Sequence, residues 1–132
     1  MTDIIARGMA ANVAKDLGTT NAELAQIANY IDVAAVSDTF TLDIADSRFK
    51  NFRIETEDAA AKTVAVSNVP TECELLIELT YTNVAAITWF DDIVWSYGVI
   101  PIFEAGRRYR ILFMTQDAGA NWEGIPAGEW VV

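Results

Sequence analysis

Residues 72–82, "ECELLIELTYT", constrain the fold of this chain more than any other stretch. Cys73, Leu75, Ile77, Leu79 and Tyr81 fall on one side of an extended backbone, and Glu72, Glu74, Glu78 and Thr80 on the other. A period of two over this length predicts a strand with one face in a core and the other toward water. "FTLDI" repeats the pattern with Phe40, Leu42 and Ile44 inward, and "FRIET", "KTVAVSNVP", "AITWF", "IVWSYG", "RYRILFMTQ", "NWEG" and "EWVV" extend it. Eight or nine short strands, separated by turn signals such as "NVP", "DD", "EAG", "DAG" and "IPAG", predict a mainly β domain over residues 38–132. Its expected architecture is an antiparallel β-sandwich of jelly-roll type.

Residues 1–37 follow another rule. They hold no Trp and no Pro, and Ile5, Met9, Val13 and Leu17 recur at one-turn spacing ahead of Gly18. That spacing predicts a helix from Asp3 to Leu17, with the glycine as its stop. Thr20 and Glu23 then stand in capping-box register, and Leu24, Ile27 and Ile31 follow on one seam, continued by Ala34. The expectation is a short N-terminal α-helical segment, an anchor or stem. Helices this short are marginal alone in water, so they need the β part, sister copies or a partner to cover them. Leu24, Ile27 and Ile31 are therefore candidate oligomer contacts.

The β part has apolar residues to spare as well. Leu76 falls on the glutamate face of its strand, and Leu112 and Met114 share a face with Arg108 and Arg110. Such partly apolar outer faces suit a subunit interface, with cover by a loop of the same chain as the alternative.

Bulk properties exclude several classes. At 132 residues the chain is one ordinary domain with room for a short appendage. A formal charge of −10 repels nucleic acid and anionic lipid. No uncharged apolar run reaches the roughly 18 residues of a membrane span, and Asp3 and Arg7 interrupt what a signal peptide would need. Histidine is absent, which removes the commonest general base and zinc ligand. Cys73 stands alone, so no intrachain disulfide is available, and a buried inert thiol is expected. Neither catalytic residues nor a metal site nor a cofactor is predicted.

Asp91-Asp92, set between aromatics in "ITWFDDIVWSYG", reads as a solvated connection between strands. It lacks the spaced oxygens and bending glycine of a calcium loop, and neighbouring carboxylates seldom flank a glycosidic bond. Trp89 and Trp95 alternate with Ile87 and Ile93 and read as core. Trp122, flanked by turn residues in "DAGANWEG", is the ring expected to be exposed. With Tyr97 it forms the candidate glycan contact of a rival hypothesis, a monomeric carbohydrate-binding module. A third class, an enzyme built on carboxylates alone, would use Asp91 with Glu123.

Residues 86–124, "AITWFDDIVWSYGVIPIFEAGRRYRILFMTQDAGANWEG", resemble the C-terminal β domain of tailed-bacteriophage fibre, baseplate and head-fibre proteins. The resemblance is carried by Trp89, Val94-Trp95, Gly98, Pro101, Gly106, the strand from Tyr109 to Thr115, and Trp122 to Gly124. The preceding "TVAVSNVPTECELLIELTYTN" looks like that domain's earlier strands. What the resemblance implies is a virion structural protein, a homotrimer carried on the capsid or the tail and assembled in the host cytoplasm. Its partners would be itself, other capsid or baseplate proteins, and a host-surface glycan. Long shafts are missing, which points to a stubby head fibre, capsid decoration or tail-tip component.

Overall fold

Period-two alternation does produce strands, but their neighbours are not those of a jelly roll. The computed structural model describes residues 30–45 and 47–132. The unit Ile31–Val132 contains β1 (Ile31–Asp32), β2 (Thr39–Asp43), β3 (Phe49–Glu55), β4 (Lys62–Ser67), β5 (Cys73–Tyr81), β6 (Ile87–Thr88), β7 (Ile93–Trp95), β8 (Arg107–Thr115) and β9 (Trp122–Val131). The larger sheet has the order β1-β3-β5-β8-β9-β7 and the smaller one β2-β4-β6. From β1 to β6 the chain therefore changes sheet at every connection. Each strand lies parallel to the strand one coil earlier: Phe52 pairs with Ile77 and Lys62 with Ile87, 25 positions on in both cases. The result is a β-solenoid-like stack of coils. It closes differently, because β8 runs antiparallel to β5 and β9 antiparallel to β8, with β7 parallel to β9 at the far edge.

The antiparallel sandwich or jelly roll is thus overturned. Five of the seven strand pairings among the described residues are parallel. Alternation specifies which face of a strand is buried and is silent on the direction of its neighbour. Ile31, expected on a helical seam, lies in β1 opposite Phe52. Leu24 and Ile27 lie outside the described residues. Among those described there is no α-helix, only a single 3₁₀ turn at Ser96–Gly98.

The core lies between the sheets. Phe40, Leu42 and Val64 of the smaller sheet, with Ile44 just past β2, join Phe52, Ile54, Leu75, Ile77 and Leu79 of the larger one, all buried. Coil corners repeat: Ala45 after β2 (φ 54°) and Asn68 after β4 (φ 55°) are both left-handed, one level apart because Asp43 pairs with Ser67. The Asn68 amide donates to Asp43 Oδ1 at 2.9 Å and ties the two levels together. Lys62 turns its buried side chain to Asp38 (2.7 Å) and Asp58 (2.6 Å). These hydrogen bonds raise the lysine's pKa and lower that of Asp58, so a buried charge is matched.

Opposite β8 and β9 the inner face is closed by rings. Trp89 meets Phe113 at 5.1 Å, Phe90 meets Trp122 at 4.8 Å, and Phe103 meets Tyr109 at 4.8 Å between ring centroids. These are distances at which aromatic pairs attract.

Candidate interaction surfaces

Residues that alternate with the core form the outer face of the larger sheet. Leu76 lies opposite Leu112, and Met114 opposite Glu74; Ile125 extends the first row from β9. Leu76, Leu112 and Met114 are half-buried, and Phe49 and Ile125 are exposed. The three predicted β-domain contacts therefore share one face. Beside Met114 a groove of about 140 Å³ is lined by Arg48, Phe49, Glu72, Cys73 and Glu74. The Cys73 thiol at this groove is pushed up to about 11 by burial and then by the Glu74 charge, which keeps it protonated and unreactive at neutral pH.

Higher on the same face Glu78 is 2% exposed although it points away from the core. Arg53 Nε donates to its Oε1 at 2.6 Å and Arg110 Nε to its Oε2 at 3.1 Å, with Arg108 Nε at 3.9 Å. Burial opposes charge on Glu78, but hydrogen bonds from Arg53 and Arg110 outweigh it and hold the carboxyl below its usual range. Arg53 also reaches Asp32 Oδ1 at 3.7 Å, and among the described residues Arg108 Nε has no hydrogen-bond partner. Trp130 covers the arginines, with the Arg110 guanidinium 4.7 Å from its ring centre.

On the other side of this sheet runs the β7–β8 connection. Phe103 packs on Tyr81 and Tyr109, which face the core, and the Glu104 amide donates to Tyr109 Oη at 2.7 Å. Between these anchors and β7 the chain presents Tyr97, Val99, Ile100 and Ile102 to solvent, Tyr97 wholly exposed and Ile102 at 85%. Tyr97 is also left-handed, at φ 58°. A bulky residue in that conformation costs of order 1–3 kcal/mol.

Trp122, expected to be exposed, is 1% exposed and sits edge-on to Phe90. Its strand β9 starts at that residue and turns the ring inward, so the turn residues before it misdirect the sequence reading. The two-ring glycan surface of Trp122 and Tyr97 does not form, since one ring is in the core and the other in solvent. Asp91 and Asp92 are exposed on the β6–β7 crossing between sheets, where the Asp92 amide donates to Asp91 Oδ1 at 2.8 Å. Glu123 is likewise exposed. A cleft of about 250 Å³ is lined by Ala34, Ala35, Asp38, Glu55, Asp58 and Lys62. Among the described residues no group of three or more acidic or thiol side chains is placed to hold a metal ion, and no helix is long and apolar enough to cross a membrane.

Sequence reasoning missed Val99, Ile100 and Ile102. The signal was present in "GVIPI", an apolar run beside Gly and Pro that belongs to no alternating strand. Fold and surfaces together define a coiled two-sheet β domain with apolar faces on opposite sides of its larger sheet. Compared with protein-family models, with curated proteins and with solved structures, the chain finds no match.

Proposed function

We propose that this chain is a non-enzymatic structural protein that works by associating with copies of itself, as a short homotrimeric component of a virion. The observation that carries the proposal is the exposed segment Tyr97–Ile102, in which Tyr97, Val99, Ile100 and Ile102 stand in water on a strained turn. Contiguous apolar exposure of this kind marks interaction sites, and full burial of each side chain is worth about 1.5–3 kcal/mol. The half-buried Leu76, Leu112 and Met114 on the opposite face supply a second apolar surface. What supports a place on the virion is the resemblance of residues 86–124 to phage fibre and baseplate domains, and that part of the proposal is the finer one. Capsid or baseplate proteins would then be the further partners. Sedimentation velocity of the chain and of an Ile100→Asp variant tests the association. The expected result is an oligomer that dissociates on substitution while circular dichroism is unchanged; a native chain sedimenting as a monomer at micromolar concentration would refute it.

A further inference from the structure

Two stretches of this chain hold main-chain hydrogen-bonding groups open at the same spacing. The first is the far edge of β9. β7 covers only Trp122–Gly124 of that strand, so from Ile125 to Val131 its outer side has no neighbouring strand among the described residues. Pro126 and the register shift at Arg110/Ile111 blunt the first half of this edge. From Gly128 onward there is neither proline, bulge nor lysine. The Val132 amide donates to the Gly106 carbonyl at 2.9 Å, and by antiparallel alternation Gly128 and Trp130 also turn their backbone groups to β8. Glu129 and Val131 therefore each turn an N–H and a C=O to the open side. The second stretch is Ile100–Ile102. The Val99 amide donates to the Ser96 carbonyl and the Glu104 amide to Tyr109 Oη. Between them neither the Ile100 nor the Ile102 N–H has a hydrogen bond among the described residues, and both side chains stand in solvent. Val99 leads in with extended backbone, at φ −102° and ψ 114°. Pro101 lacks an N–H, and a strand accommodates a proline where its nitrogen faces away from the partner. That leaves the side bearing Ile100 and Ile102, whose groups repeat two residues apart, as those of Glu129 and Val131 do.

We infer that Ile100–Ile102 of one copy adds as a strand to the open edge of β9 in the next, pairing with Glu129–Val131. Affinity comes from main-chain hydrogen bonds, and the exposed Val131 gains an isoleucine beside it. Val99–Phe103 carries no charge, so the acidity of the chain sets no like charges against each other across these strands. Pairing β9 with β9 about a two-fold axis would use the same edge but leave Ile100 and Ile102 in water. A contact between two different surfaces is heterologous and links each copy to a next one, as a trimer requires. This inference rests on the self-association proposed above and adds which surfaces meet and through which bonds.

Backbone-amide hydrogen exchange of the full chain, read by NMR, tests it. In the native oligomer the amides of Ile102, Glu129 and Val131 are expected to exchange at least ~100-fold more slowly than in an unstructured peptide. A Val131→Pro variant removes one outward N–H and no bond to β8. It is expected to weaken association about tenfold or more, whereas Val131→Thr, which keeps the N–H, associates like the native chain, and both keep its circular dichroism. Less protection than that at Glu129 and Val131 in an intact oligomer would overturn the inference and leave self-association standing. Protection of Glu129 and Val131 without Ile102 would show a different strand on the edge and overturn it too. So would a Val131→Pro chain that associates as tightly as the native one. A monomeric native chain removes both readings.

Discussion

Glu78 shows how one side chain reports on a whole face. Its carboxylate is buried on the outer side of a sheet and is held charged by Arg53 and Arg110. Because its pKa is lowered on folding, its contribution to stability is complete above the unfolded value of about 4.3 and is lost as pH falls through the folded value. Urea midpoints are expected to be flat from neutral pH to about 5 and to drop below about 4.3, with a smaller drop in Glu78→Gln. At neutral pH that substitution should cost about 2–3 kcal/mol, less than a fully enclosed ion pair, because the arginines remain more than a third exposed and screened. Gly124 is a second reporter. A Cβ there would stand 2.7 Å from both Ile93 Cγ2 and Trp95 Cζ3, so Gly124→Ala should destabilise by about 1–3 kcal/mol through overpacking. The tryptophan and tyrosine once paired as rings for a sugar should now separate. Trp122→Ala is expected to cost about 3–5 kcal/mol in chemical denaturation, and Tyr97→Ala to leave the unfolding of a dissociated chain within about 0.5 kcal/mol.

Elements were more legible than their pairing. The strand over residues 73–81 and its buried face follow from alternation alone, and so do the inward Phe40, Leu42 and Ile44. Strand direction was not legible, because a parallel and an antiparallel neighbour can bury the same alternate side chains. Successive coils also share too little sequence to show as a repeat: β2 reads "TFTLD" and β4 above it "KTVAVS". Of the apolar outer positions, Leu76, Leu112 and Met114 could be named because they fall on the polar face of their strands. Tyr97 was named only as a stacking ring, and Val99 to Ile102 were passed over because they fall in a connection between strands. A cysteine pair tests the parallel register. Thr41→Cys with Ala65→Cys joins direct partners and should oxidise to a disulfide, since adjacent strands lie within disulfide reach. Thr39→Cys with Ser67→Cys, at opposite ends of the parallel pair but adjacent in an antiparallel one, should remain reduced on a non-reducing gel.

For the molecule as a whole, charge and apolarity pull in opposite directions. A formal charge of −10 favours dispersal of copies, yet exposed apolar residues lie on both sides of the larger sheet. Three of the four sheet margins, β1, β6 and β7, are only two or three residues long, and the fourth, β2, has five. Apart from the part of β9 that β7 leaves uncovered, the edge open to strand addition is therefore short at all but one margin. The proposed association would bury these apolar side chains on defined faces. Size-exclusion chromatography with multi-angle light scattering on the native chain at micromolar concentration measures this directly. One species with the mass of three chains is expected; a single peak at 14.5 kDa, unchanged on concentration, would contradict it.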